Sequence, residues 1–188
     1  MRCGNAFAVA FLIAARVMAQ SGTVDLGEVF KDSAKWAMTA EAFMGEFQSL
    51  GFRFVDGKQT AMSNQKQLLR FLGMEVCEAR VYFDQNAVRR VEISVYNKGD
   101  AGAKDKETFE ALVATARDKV VRFAQDTGMT GKTSNDRANY FVKRHQWVKQ
   151  SPGIQMEWAY VEPHRSGGKS VEYSAEFIKI LMVPIKTG

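Results

Sequence analysis

The chain has 188 residues, 46% of them hydrophobic and 25% charged, with a formal net charge of +5. That length suits one sizeable domain or two small ones, and the composition excludes a disordered chain. The basic excess is small. Without residues 1–19 the chain loses Arg2 and Arg16 and no acid, which lowers the charge to +3, too little to argue for nucleic acid.

Met1–Ala19 has the layout of a secretory signal peptide. Arg2 supplies the positive start, Ala6–Ala15 the apolar core, and Val17-Met18-Ala19 puts small residues at the two positions a signal peptidase reads, so Gln20 is the expected first mature residue. The apolar run is about ten residues long, whereas a bilayer span needs roughly 20. No membrane span is therefore expected once the leader is removed, and the mature chain is expected to be periplasmic or secreted. Gln20, not a cysteine, stands directly after the cleavage point, which argues against a lipid anchor. Cys3 lies in the leader, leaving Cys77 as the only mature cysteine. An exported chain with one cysteine has no internal disulfide, and its core must hold it together unaided.

Residues 20–188 are expected to form a single α+β domain. Ser21–Lys35 is weakly patterned and reads as a leading arm. In Trp36–Gly51, Thr39 is a good helix N-cap, with Glu41 in the first turn and Met38 placed to staple onto Phe43. Phe43, Met44, Phe47 and Leu50 fall on one face, and Gly51 is placed to end the helix in a left-handed conformation. Phe52–Val55 resumes with strand character before the Asp56-Gly57 turn. Thr60–Lys66 is polar and unpatterned. Leu68–Val76 is apolar, broken by Gly73, and suits a short strand or a bulge.

Glu78–Asn97 is the clearest strand pair. Ala79, Val81 and Phe83 alternate with Arg80, Tyr82 and Asp84, and Val91, Ile93 and Val95 alternate with Arg90, Glu92 and Ser94. That period of two is what a half-buried antiparallel pair requires, with Gln85-Asn86 at the tip. Asn97–Gly102 reads as a glycine-rich turn with side-chain-to-backbone bonds. Its carboxylates are too few for a calcium loop.

Asp105–Gln125 is predicted as an amphipathic helix capped by Asp105. Its stripe is Phe109, Leu112, Val113, Ala116, Val120 and Phe123, with Glu110, Arg117 and Asp118 opposite. Met129–Asn139 reads as a polar linker. Asn139–Gln150 and Ile154–Val161 read as strands flanking a Ser151-Pro152-Gly153 turn, Pro163–Gly168 as a loop, and Ser170–Ile185 as a last strand region, split near Ala175. Strand runs separated by isolated helices argue for α+β architecture, with two amphipathic helices packed on antiparallel sheet. The halves 39–97 and 105–185 each read as a helix followed by an antiparallel meander.

Candidate chemistry is sparse. A cysteine nucleophile would need Cys77 beside His145 or His164, and Glu78 next to the thiol disfavours the thiolate. A metal site would need the two histidines or nearby acids such as Glu162 to converge, and their spacing does not bring them together. No spacing singles out a pair of acids for hydrolysis. Trp36, Trp147 and Trp158 fit core or edge anchors better than a stacking platform. If any residues touch a cell-wall glycan, Trp147 and Trp158 are the candidates. No catalytic, cofactor or metal residue is assigned.

Several segments together resemble a known group of proteins: Trp36–Phe43 leading into Leu50–Phe54, Ser94–Gly102 followed by Phe109–Leu112, then Met156–Trp158 and Ala175–Ile180. This set is similar to the non-catalytic N-terminal region of exported bacterial proteins that carry a papain-like cysteine peptidase domain of the bacteriocin-processing type further along. The peptidase's cysteine, its surrounding glycines and its later histidine have no counterparts in these residues, and Cys77 falls outside that motif. The resemblance therefore implies an exported accessory or recognition domain with a protein or cell-envelope partner, and peptidase activity is not implied; a hydrolase related to cysteine peptidases, or the remnant of one, is the alternative reading.

When the gene is expressed in an exporting host, the mature product is expected to begin at Gln20. N-terminal sequencing checks this, and a product that retains Met1–Ala19 contradicts it.

Overall fold

In the computed structural model, side chains are described for residues 22–84, 87–126, 153–160 and 176–184. The backbone is also described for 130–135, 142–149, 151–152, 164–166 and 169–171. The leader, the Gln85-Asn86 tip, Gly128 and Glu162 lie outside the described residues.

The leading arm is more ordered than its weak pattern suggests. It holds strand β1 (Val24–Asp25) and two single-turn helices, α1 (Leu26–Val29) and α2 (Ser33–Trp36). Each short helix is capped by an aspartate: Asp25 accepts from Gly27 N and Asp32 from Ala34 N, both at 2.9 Å. Local capping, which has no hydrophobic period, is the signal here. Helix α3 (Ala40–Phe47) starts where Thr39 Oγ1 accepts from Ala42 N at 3.1 Å. After a 3-10 turn at Gln48–Leu50 it stops at Gly51, whose φ of +77° is the left-handed conformation expected of a terminating glycine.

The strands then run β2 (Arg53–Asp56), β3 (Thr60–Ser63), β4 (Leu69–Phe71), β5 (Met74–Glu75), β6 (Glu78–Asp84) and β7 (Ala87–Asn97). Polar Thr60–Lys66 thus contains a strand, three of whose four residues are buried. Asn97–Gly102 is not merely a turn. It winds into a one-turn helix α4 (Lys98–Ala101), with Asn97 Oδ1 accepting from Gly99 N at 2.9 Å. Helix α5 (Lys106–Asp126) is capped by Asp105, whose carboxylate accepts from Thr108 N and Thr108 Oγ1, both at 2.8 Å.

The second half continues with β8 (Thr130–Asn135), β9 (Val142–Lys149), β10 (Ser151–Ala159), the small hairpin β11 (His164–Ser166) and β12 (Lys169–Val171), and β13 (Phe177–Met182). Three expectations are corrected. The polar "linker" contains β8, an outer strand that pairs along its length with β9. An outer strand needs no apolar face, so period-two hydrophobicity cannot reveal it. The expected turn at Ser151–Gly153 is instead the start of β10: Ser151 already pairs with Lys149, and the register shifts between Pro152 and Ile154. Proline donates no ladder hydrogen bond, and a bulge tolerates that loss. The loop expected at Pro163–Gly168 includes the β11 arm of a hairpin.

Eight strands form one sheet in the order β2-β3-β6-β7-β13-β10-β9-β8, and every pairing in it is antiparallel. Each half of the chain supplies four strands in sequence order, and the halves meet where β7 lies against β13. The α+β class follows directly. The parallel pairing among the described residues is the two-residue ladder of β1 with β4, in a separate three-stranded sheet.

Register sorts the faces. One row across the large sheet is Ala61, Val81, Val91, Met182, Ile154, and the next includes Ala79, Ile93, Ile180 and Met156. Nearly all of these are fully buried. Helix α5 turns Phe109, Val113, Ala116, Val120 and Phe123 into the same core. Helix α3 adds Phe43, whose ring meets Phe47, Phe52 and Phe83 at 4.8, 5.0 and 5.6 Å between centroids. Burying each such large side chain contributes about 1.5–3 kcal/mol, which suits a core whose described cysteine, Cys77, is free.

One polar tie joins the arm to this core. Asp25 accepts, besides Gly27 N, the backbone N–H groups of Leu72 at 2.8 Å and Gly73 at 2.7 Å. These two residues turn the β4–β5 hairpin with φ of +51° and +75°. A left-handed leucine is strained, at a cost of about 1–3 kcal/mol. The carboxylate offsets it, as does Lys119 Nζ of α5, which donates to Leu72 O at 2.8 Å. Asp25→Ala is expected to lower the unfolding free energy by about 2–4 kcal/mol, since hydrogen bonds to a charged acceptor are worth about 1.5–3 kcal/mol each. Urea unfolding checks this, and an unchanged midpoint contradicts it.

Candidate functional site

The register of β7 against β13 is broken once. Tyr96 pairs with Ile178 and Ser94 with Lys179, so Val95 stands outside the ladder. Beside this bulge, between α5 and the sheet, lies a hollow of about 390 Å³. Leu112, Thr115 and Ala116 of α5 form one wall. Val95, Tyr96, Ile178 and Cys77 form the sheet side, with Met74 and Glu75 of β5 at one end and Lys66 and Lys104 beside them. The lining is mostly apolar. Lys66 Nζ donates to Asp100 O at 2.9 Å, and Lys104 Nζ stands 5.7 Å from the centre of the Tyr96 ring.

Two groups that line this hollow, Cys77 and Tyr96, have shifted proton affinities. Cys77 precedes β6, its N–H donates to Ser94 O at 2.7 Å, and its thiol lies 3.8 Å from Val95 O. It is buried, and burial pushes the thiol pKa up, with nearby Lys66 opposing. The Tyr96 hydroxyl is within reach of two acceptors, Gly102 O at 2.9 Å and Glu176 Oε2 at 3.1 Å. Burial, followed by the hydrogen bond to the Glu176 carboxylate, pushes its pKa up to about 12. Glu176 is itself 5% exposed and is held by Lys98, whose Nζ lies 3.4 Å from Oε1. Both environments favour the protonated forms.

The sequence candidates fall elsewhere. His145 lies in β9, in register with Met156. Strand β9 is four strand spacings from β6, on the order of 19 Å along the sheet, so it does not approach Cys77. His164 lies in the small hairpin, and the side chains of both histidines lie outside the described residues. No group of three or more potential metal ligands occurs among the described residues. Trp158 is 9% exposed in the core, paired with Ile178, and offers no open stacking face. Trp147 is in register with Ile154, and its side chain lies outside the described residues. Trp36 is partly buried, donates from Nε1 to Phe30 O at 2.9 Å and packs on the Phe30 ring. Sequence reasoning missed Tyr96, Glu176 and the two lysines. Tyr96 and Glu176 are 80 residues apart, and nothing local joins them.

No family model matches the chain, and no curated protein or solved structure was found to match it. Among the described residues, no helix is long and apolar enough to cross a membrane.

The raised Tyr96 pKa makes an alkaline prediction. The folded state holds this proton more tightly than the unfolded chain, whose tyrosine titrates near 10. The contribution is therefore complete below pH 10 and is lost as pH rises towards 12. The urea midpoint is expected to fall more steeply over that window in the native chain than in Tyr96→Phe. Parallel curves contradict the assignment.

Proposed function

We propose that this chain is an exported, non-catalytic recognition domain that holds a ligand in the hollow between α5 and the sheet. The observation that carries the reading is the hollow itself: about 390 Å³, apolar in most of its lining, with two lysines beside it and its own thiol and phenol kept protonated. Pockets of this size and lining are the usual form of small-ligand sites. Lys66 and Lys104 outnumber the one carboxylate, Glu75, so the fitting ligand has an apolar body and an anionic end. The resemblance to regions that accompany an exported peptidase supports the accessory role, with the partner in the cell envelope or on a protein processed there.

The probe 1-anilinonaphthalene-8-sulfonate has this chemistry. Saturable binding with one site is expected, with fluorescence rising as the probe leaves water. Thr115→Trp, which narrows the hollow from the exposed side of α5, is expected to abolish it. The double change Lys66→Gln and Lys104→Gln is expected to weaken it about tenfold, equivalent to about 1.4 kcal/mol. Undiminished binding by a folded Thr115→Trp chain, verified by circular dichroism, overturns the reading.

A further inference from the structure

The sheet has a second hollow, on the face away from α5, and we propose that it binds a neutral saccharide. It measures about 300 Å³ and lies over the first residues of β6, the end of β7 and β13. Strand register builds its floor. Glu78, Ser94 and Lys179 form one row, and Arg80 and Glu92 the row beside it, with Asn97 opposite Phe177 at the rim.

Ser94 points to a ligand. The residue is 7% exposed and lines the hollow, yet its hydroxyl makes no hydrogen bond to any described residue. Arg90 Nε, not Ser94 Oγ, is the buried side-chain atom without a partner among the described residues, so the Ser94 hydroxyl opens into the hollow free to bond a ligand, while every charged neighbour already has a partner. Arg80 Nε donates to Glu78 at 2.7 Å, and Lys179 Nζ lies 2.5 Å from Glu92. Glu176 is occupied by the Tyr96 hydroxyl and by Lys98. Asn97 uses its carbonyl oxygen to cap α4, which leaves its amide hydrogens to donate elsewhere.

This wiring selects a ligand class. Because acids and bases are paired, the hollow presents little net field, and neither an anion nor a cation gains much by entering. A ligand that both donates and accepts gains at every position. Its hydroxyls can donate to the spare lone pairs of Glu78 and Glu92 and accept from Arg80, Asn97 and Ser94. The half-buried Phe177 ring at the rim supplies an apolar edge for the carbon face of a pyranose. These requirements describe a neutral, polyhydroxylated ring compound. The site is separate from the apolar hollow and does not depend on it.

The test is amide chemical-shift mapping of the folded chain with cellotriose and with triacetylchitotriose, two neutral probes, and with trigalacturonate as the anionic arm. Saturable shifts confined to Glu78–Arg80, Glu92–Asn97 and Phe177–Lys179 are expected with at least one neutral probe. A response to only one of them separates recognition of an N-acetyl group from recognition of hydroxyls alone. Ser94→Ala and Arg80→Gln are each expected to weaken that titration at least fivefold, while Thr115→Trp leaves it unchanged. Absence of shifts with both neutral sugars at 20 mM (roughly the weak end of useful affinity) overturns the proposal. So does tighter binding of trigalacturonate, or a titration that Ser94→Ala and Arg80→Gln leave intact.

Discussion

The antiparallel seam of β7 against β13 is the constraint on which the rest of the structure depends. Strands from the first half end there on one side and strands from the second half on the other. The seam has to satisfy two faces at once. Towards the helices it aligns Ile93 with Ile180 and Val91 with Met182, and away from them it aligns Ser94 with Lys179. A one-residue slip would turn Ile178, Ile180 and Met182 of β13 outward, so the register is fixed by burial. The single bulge at Val95 is the exception, and both hollows lie beside it.

The two hollows share a wall. Tyr96 lines the apolar one and Glu176 the polar one, and the bond between them crosses the sheet at 3.1 Å. Removing either partner leaves the other buried and polar without its mate, which is costlier than the bond alone is worth. The pair is reinforced from the backbone, since Lys98 N donates to Glu176 O at 3.0 Å. Helix α4 is anchored at both ends in this way, by the β13 approach and by the Tyr96 hydroxyl on Gly102 O. A loop that composition alone marks as a glycine-rich connection thus becomes part of the framework around both cavities.

Much of the fold was legible because hydrophobic period is written locally. The β6–β7 alternation and the α5 stripe, with the helix caps at Thr39 and Asp105, could be read off within a few residues. What was not legible depends on distant partners. Strand β8 has no apolar period because it needs none. The polarity of Thr60–Lys66 hid β3, because its buried polar groups find partners far along the chain: Ser63 Oγ donates to Leu50 O at 2.7 Å. The site was still less visible. Aromatic residues drew attention to Trp158, which the core consumes, while the groups that shape the cavities, Tyr96, Glu176 and Ser94, carry no signature in the chain itself.

The outermost strands bear on how readily such a long sheet could take on a strand from another molecule. At one end β8 has the polar sequence Thr-Gly-Lys-Thr-Ser-Asn, with one lysine. At the other, β2 breaks register between Phe54 and Asp56. Each device spoils the flat, greasy template that a neighbouring molecule would need to add its own strand. An eight-stranded surface with two open borders has good reason to discourage its copies from extending it.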